Sequence, residues 1–191
     1  MIRKIIISCI AATSLILFST QAFALINFSV GVPLSQTFTK WEDSDGNKVK
    51  PDSVSGTFIQ VGVPILPGIG MDNIESKVGS DIKIATTIYN LYYLLPIPVI
   101  NLTLGAGVGS TEFKCEGCSS LYDKGATSQW YTSFGFPIIP LFDLHLSYRS
   151  INAKVKGKGL AEGAEVDFSS NVMGFGITDA FSEGLTAFVS H

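Results

Sequence analysis

The sequence predicts an all-β fold, an antiparallel up-and-down transmembrane β-barrel with about eight strands. Three observations predict it: an N-terminal export signal, a composition that is 46% hydrophobic but only 15% charged, and segments in which apolar and polar residues alternate. Average soluble domains carry about 25% charged residues. Beyond the signal, no apolar run reaches the roughly 18 residues of a membrane-spanning helix. Strands with one apolar and one polar face account for a chain that is rich in hydrophobic residues and yet has no membrane-spanning helix.

Residues 1–24 have the chemistry of a cleaved secretory signal peptide. Arg3 and Lys4 give a positive start, Ile5 to Phe18 is largely apolar, and Ala22-Phe23-Ala24 is an A-x-A cleavage site. The apolar stretch is too short to span a bilayer as a helix. An uncleaved anchor is the alternative. Cleavage would leave residues 25–191, which suit a single domain.

Without the signal, acidic residues outnumber basic ones, and no packed Lys/Arg surface for nucleic acid is present in the sequence. The mature chain would keep two cysteines, Cys115 and Cys118. In an oxidising compartment, with no second Cys pair and no nearby His to complete a metal site, they predict a disulfide that closes a loop. A transient metal or redox site is the alternative. We predict neither a metal nor a cofactor elsewhere.

The first four strands are predicted from alternation and from the turns between them. Asp45-Gly46 is a turn signal in the polar segment after strand one, and Pro67-Gly68 ends strand two. Strand three has the least regular alternation because it contains Asp72 and Glu75. Gly79-Ser80-Asp81 connects it to strand four. The predicted bounds of these strands are 25–41, 54–66, 69–78 and 82–95.

The last four strands follow the same rule. Strand five has the cleanest alternation, with aliphatic residues opposite glycine and small polar residues, and the cysteine loop 115–126 follows it. Pro140-Leu141 connects strand six to strand seven, and the Gly/Lys/Glu-rich segment 156–165 precedes strand eight. The predicted bounds are 99–114, 128–139, 142–155 and 166–178.

Connection lengths alternate along the chain. Polar, longer connections follow strands one, five and seven, whereas short connections with proline follow strands two, four and six. Outer-membrane barrels have a periplasmic N-terminus, short periplasmic turns and longer extracellular loops. The pattern therefore predicts localisation in the outer membrane of a bacterial cell. The connection between strands three and four fits least well.

The apolar faces are expected to contact lipid. The short turns are themselves apolar, and the opposite strand faces hold glycine and polar residues that suit a small-barrel interior. Aromatic residues near strand ends are predicted to form interfacial girdles: Trp41, Tyr89, Tyr92, Tyr93, Trp130, Tyr131 and Phe142. A soluble lipocalin-like barrel with reversed faces is the alternative.

A polar network is predicted inside the barrel. Asp143, His145 and Arg149 share the polar parity of strand seven, and Glu75 and Lys77 would join them if strand three has the assumed phase. Eight strands leave a lumen just wide enough for side chains to fill, and buried charges must pair there. The network is expected to stabilise the lumen. A narrow gated pore is the alternative.

The alternating strands, together with the segment from Met173 to Phe181, resemble the small eight-stranded outer-membrane barrels of the OmpA/OmpX type. The resemblance covers nearly all of residues 25–191 and implies insertion by the barrel-assembly machinery, contact with lipid A and phospholipid, and a monomeric state. Residues 182–191 depart from the pattern, because the chain does not end at the aromatic Phe181. They are expected to form a tail or part of an extra strand, so the sequence allows a strand count of eight, nine or ten.

We predict a structural or surface-interaction role, in envelope integrity or in adhesion through the segments 42–53, 115–126 and 156–165, and not an enzyme. A narrow pore is the second possibility. A lipid A-modifying acyl hydrolase is the enzymatic alternative, because His145-Leu146-Ser147 resembles the H-x-S of deacylases, with Glu162 or Glu165 as the acid. Tyr148 stands where that pattern has Asn.

Overall fold

The computed structural model describes residues 26–41, 49–63, 66–97, 100–139 and 142–181. Eight antiparallel strands form a closed barrel in which each strand pairs with its neighbours in sequence and the last pairs with the first. The strands are β1 (Ile26–Phe38), β2 (Ser53–Gly62), β3 (Gly68–Val78), β4 (Ile82–Ile97), β5 (Ile100–Lys114), β6 (Gly125–Ile139), β7 (Phe142–Lys156) and β8 (Glu165–Phe181).

The predicted fold class and the predicted number of strands are confirmed. The signal peptide and the segment 182–191 lie outside the described residues. The largest difference in strand bounds is at β2, which is predicted to run to residue 66 and ends at Gly62. β6 begins three residues earlier than predicted, at Gly125, because Ala126 and Thr127 already pair with Lys154 and Ala153. Among the residues described, no helix is long and apolar enough to cross a membrane.

The two ends of the barrel differ. At the end that we call the loop end, β1 connects to β2, β5 to β6 and β7 to β8 through the longer connections, and β3 connects to β4 through the short turn at Gly79. At the opposite end, called the turn end, the connections are short. This arrangement agrees with the predicted topology, in which the loop end is extracellular.

Two of the longer connections are joined to each other. Cys115 and Cys118 form the predicted disulfide, and a short helix α1 (Cys118–Leu121) follows. Gly117 has a φ of 79°, a left-handed conformation that glycine adopts without strain. The amide of Lys158, between β7 and β8, donates to the carbonyl of Leu121 at 2.8 Å, and its ammonium group lies 3.0 Å from Asp123. The two loops therefore support one another.

β1 and β8 close the barrel along twelve paired rows, from Ile26–Phe181 to Phe38–Ser170. The register shifts once, between Pro33 and Ser35. Proline has no N–H to give to the ladder, so a local irregularity beside Pro33 is the expected accommodation. The seam continues on both sides of the shift, and no strand edge of the described barrel is left unpaired.

The outward parity of every strand carries exposed apolar side chains. Val108, for example, is 70% exposed. Together these side chains form an apolar belt around the half of the barrel nearer the turn end, and the outward positions of the strands nearer the loop end are mostly polar or small. A soluble lipocalin-like barrel would have its apolar side chains inside and its polar side chains outside, which does not agree with this surface. Members of the belt are Val30, Val61, Ile69, Leu91, Val108, Phe134, Leu146 and Met173.

The predicted aromatic girdle is only partly correct. Tyr89, Tyr93 and Trp130 face outward, and the Trp130 and Tyr148 rings lie 5.7 Å apart on the outer surface. Tyr92 and Tyr131 face the lumen instead, because their parity is opposite to that of the belt. The side chain of Phe142 lies outside the described residues.

Glycines on neighbouring strands make room for these two inward rings. Tyr131 lies directly across the ladder from Gly105, and Tyr92 directly across from Gly68. A Cβ atom at either glycine would overlap the ring of its tyrosine. Each ring therefore occupies the space that a side chain on the next strand would need, as aromatic residues do when they cover strand glycines.

We expect Gly105→Val to destabilise the barrel by about 1–3 kcal/mol, because the new side chain would displace the Tyr131 ring from a packed lumen. Urea unfolding of the protein refolded in detergent micelles, followed by tryptophan fluorescence, measures the change. Ala106→Val is the matched control, because its side chain is outward on the same strand. Its effect should stay within about 0.5 kcal/mol. Equal losses in both variants would contradict the role of the glycine.

Candidate functional site

The inward-facing side chains form the candidate site, and they fill the lumen in layers. Every second residue of β7 faces inward. From the turn end to the loop end, these inward residues are Asp143, His145, Ser147, Arg149, Ile151, Ala153 and Val155. The layers are therefore polar near the turn end, charged in the middle and apolar toward the loop end.

The middle layer is an ion pair between Asp72 on β3 and Arg149 on β7. Arg149 Nε donates to Asp72 Oδ2 at 2.9 Å, and the two side chains are 1% and 0% exposed. Arg149 Nη1 also donates to Ser147 Oγ. The guanidinium carbon lies 3.4 Å from the centre of the Phe58 ring and 5.0 Å from that of Tyr131. Ion pairing and cation–π contact together compensate for the burial of this charge.

Two amides extend the ion-pair layer. Gln129 Nε2 donates to Asp72 Oδ2 and, at 2.7 Å, to Asn90 Oδ1. Three buried atoms of the same layer have no hydrogen-bond partner among the described residues: Asp72 Oδ1, Asn90 Nδ2 and Gln129 Oε1. Unpaired buried polar atoms each cost about 1–3 kcal/mol. The hydrogen bonds within the protein therefore offset only part of the free-energy cost of burying this polar layer.

Hydroxyl and amide groups pair on both sides of this layer. Toward the turn end, Gln60 Nε2 donates to the Tyr131 hydroxyl at 3.0 Å. Toward the loop end, the hydroxyls of Thr86, Thr111 and Thr127 form a chain with separations of 2.9 and 2.8 Å. The Gln60–Tyr131 bond crosses the lumen between β2 and β6, whereas the threonine chain links the neighbouring strands β4, β5 and β6.

Two apolar layers close the lumen toward the loop end. The first packs above the ion pair and consists of Phe58, Ile74, Ile88, Ile151 and Val172. The second contains Phe38, Ile84, Ala153 and Phe168, and its Phe38 and Phe168 rings lie 4.8 Å apart. Trp41, Val49, Val78 and Phe113 pack against the second layer from the loop side. The interior is consequently filled with side chains over most of its length.

Three of the five residues predicted for the lumen network face the lumen, namely Asp143, His145 and Arg149. Their partners differ from the predicted ones. Arg149 pairs with Asp72, and Asp143 accepts a hydrogen bond from Asn101. Asp143 is near the turn end, three inward positions from Arg149, which is why the two do not pair.

The prediction that Glu75 and Lys77 face the lumen is wrong. The inward parity of β3 is that of Asp72, Ile74 and Ser76, which are buried. Glu75 lies on the outer surface, 3.1 Å from Lys83, and Lys77 is exposed there. The error is a phase shift of one residue, because β3 carries charged residues on both faces. The apolar residue Ile69, near the turn end, is the signal that marks the outward parity correctly.

His145 lies in a neutral polar layer near the turn end. Its Nε2 is 3.5 Å from Ser29 Oγ, and its Nδ1 is 3.2 Å from Thr178 Oγ1. Ser147 is buried in the lumen and bonded to Arg149, whereas Glu162 and Glu165 are both exposed at the loop end and Glu165 is paired with Lys154. The hydrolase pattern is therefore not assembled in space. Within the described ranges, no three His, Cys, Asp or Glu side chains are arranged to hold a metal ion.

No protein-family model and no curated protein matches the sequence. Solved structures do resemble the barrel. The Neisserial surface protein A aligns with a TM-score of 0.54 and 14% identity, over 82% of this chain and 96% of that one. The outer membrane protein AlkL, solved in lipid bilayers, aligns with a TM-score of 0.51 and 11% identity, over 83% of this chain and 91% of that one.

Outer membrane protein W of E. coli aligns with a TM-score of 0.50 and 13% identity, over 81% of this chain and 97% of that one. At such identities the likeness establishes the fold, which is that of the small eight-stranded outer-membrane barrels. The predicted localisation in the outer membrane agrees with this fold and with the apolar belt.

Proposed function

We propose that this chain is a non-conducting outer-membrane barrel with a structural or surface-interaction role, which holds its extracellular loops on a rigid wall. The observation that carries the proposal is the filled lumen. A solute would have to displace the Asp72–Arg149 pair and then both apolar layers to pass. In a lumen of this width, displacing any of these packed side chains would cost considerable free energy.

The loop end supports the surface role. The disulfide and α1 brace the β5–β6 loop internally, and the hydrogen bond from Lys158 to Leu121 and the Lys158–Asp123 ion pair connect it to the β7–β8 loop. Loops on a rigid scaffold are where binding residues commonly lie. Linked loops lose less conformational entropy on contact with a partner than independent ones do.

Conductance in planar lipid bilayers tests the proposal. We expect the refolded protein to insert without producing current steps. Heat-modifiable migration in SDS gels, which reports the folded barrel, controls for failed refolding. Reproducible unitary steps from folded protein would contradict the filled lumen. They would support a narrow pore instead, which is the second candidate because three polar atoms of the ion-pair layer have no hydrogen-bond partner in the described part of the chain.

We further propose that the barrel acts as a monomer, is inserted by the barrel-assembly machinery and contacts lipid A and phospholipid through its belt. The closed ladder supports the monomer, because it leaves no free edge on any of the eight described strands to pair with a second copy. Light scattering of the detergent complex, corrected for bound detergent, measures the mass. A dimer at micromolar concentration would contradict the monomer.

A further inference from the structure

Three lysines stand side by side on the outer wall near the loop end. Lys83 on β4 lies directly opposite Lys77 on β3 and directly opposite Lys114 on β5. All three side chains point outward, and those of Lys83 and Lys114 are 46% and 49% exposed. Directly opposed residues of neighbouring strands have Cβ atoms only about 5 Å apart. The result is a continuous row of ammonium groups across three strands.

Like charges directly opposite each other destabilise a sheet, and the carboxylates of Glu75 and Glu112 one row below compensate this row only in part, because three lysines face two glutamates. The other side of the same barrel follows the usual rule: Lys154 lies opposite Asp167, and Lys156 opposite Glu165. Local conflicts of this kind are expected at functional sites, where the favourable interaction is made with a ligand.

The rows beneath the lysines change character step by step toward the turn end. The row below the lysines has two glutamates on either side of a small residue. The third row carries hydroxyl and amide groups, and the fourth row belongs to the apolar belt. We call these four rows the lysine panel. From the loop end they are Lys77-Lys83-Lys114, Glu75-Ala85-Glu112, Asn73-Thr87-Ser110 and Met71-Tyr89-Val108.

A groove of about 220 Å³ lies in the middle of the panel, over Ala85. Small side chains in its floor leave the space, and Lys124 borders it beside Lys114. Glu112 lies 3.0 Å from Lys124 and 3.6 Å from Lys114, so it orients both ammonium groups. With Lys77 and Lys83 included, four ammonium groups surround two carboxylates. The groove itself is lined by two lysines and two glutamates, and Lys77 and Lys83 in the adjacent row give this part of the wall its net positive charge.

We propose that the lysine panel binds the phosphorylated sugar headgroup of an outer-leaflet glycolipid of the lipid A type. The acyl chains would lie on the apolar row, the sugar against Asn73, Thr87 and Ser110, and a phosphate against the lysine row. A soluble anion would use the lysines alone and would leave the graded rows unexplained. The inference rests on the proposed placement in the outer membrane, with the loop end outside.

Native mass spectrometry of the folded protein in dodecyl maltoside micelles that contain lipid A tests the proposal. We expect bound lipid A on the wild type and at least a tenfold weaker affinity for the variant Lys77→Gln/Lys83→Gln/Lys114→Gln. The matched control Lys154→Gln/Lys156→Gln/Lys158→Gln removes the same charge from lysines that face carboxylates. Its affinity should stay within twofold of the wild type. Equal losses in both variants, or no loss in either, would overturn the site.

Two further arms separate the contacts. Dephosphorylated lipid A should bind the wild type about as weakly as bisphosphorylated lipid A binds the panel variant, and full-strength binding would overturn the phosphate contact. Lipid A should raise the urea midpoint of the wild type but not that of the panel variant, whereas a purely structural row would give equal shifts. Conductance is an independent readout. A conducting barrel that still selects lipid A would refute the filled lumen and leave the panel intact.

Discussion

Replacement of Asp72 by alanine is expected to lower the free energy of unfolding by about 3–5 kcal/mol. The variant would leave the Arg149 guanidinium in the middle of the lumen, without its carboxylate partner and almost without access to water. Gln129 would lose an acceptor at the same time. Urea unfolding in detergent micelles, with Trp41 and Trp130 as fluorescent probes, measures the loss.

The double variant Asp72→Leu/Arg149→Met distinguishes an unpaired charge from a simple loss of packing. Removing both charges leaves no ion to solvate, and buried ion pairs replaced by apolar groups are often neutral in stability. We expect the double variant to recover most of the loss. If it unfolds as readily as Asp72→Ala, the two residues are not energetically coupled. Lys154→Gln, which breaks an exposed pair, should change stability by less than about 1 kcal/mol.

Phe58→Ala is the second substitution with a large expected effect, about 3–5 kcal/mol, which is typical of a buried aromatic residue. Phe58 is 2% exposed and packs in the apolar layer above the ion pair. Its ring also faces the Arg149 guanidinium, so the variant removes a cation–π contact as well as a volume of packed side chain. The same urea titration measures the change.

Phe134→Ala is the control for that substitution, because it removes the same side chain from the outer surface. Phe134 is 47% exposed and belongs to the apolar belt, where detergent or lipid fills the space that the ring leaves. We expect a clearly smaller loss, because no internal cavity forms. Similar losses for both phenylalanines would show that the lumen is less tightly packed than the structure indicates.

The strands were predictable because a period of two is readable in any segment with one buried face. β5 illustrates this, since its aliphatic residues and glycines alternate without interruption and its observed range, Ile100–Lys114, nearly matches the prediction. The start of β6 was less predictable. Gly125 pairs with Thr111 of β5, and Ala126 and Thr127 pair with β7, although glycine and alanine are residues that strands disfavour.

The ion pair was not predictable from alternation. Parity assigns a residue to a face, but it does not say which residues meet across the lumen, and Asp72 and Arg149 are 77 positions apart. The heights of inward residues depend on strand register, which only the three-dimensional barrel supplies. On β3 the parity itself was misread, because Asp72 and Glu75 are both acidic and lie on opposite faces.

The seam between β1 and β8 has a consequence for the timing of assembly. The first strand cannot complete its backbone hydrogen bonds until the last strand of the described barrel is available, so contacts with the greatest separation in sequence form at the end. A chain halted before β8 would present two open edges, which hydrocarbon cannot accommodate. A copy that lacks β8 therefore has no stable place in the membrane, and the barrel can close only after its last described strand is available.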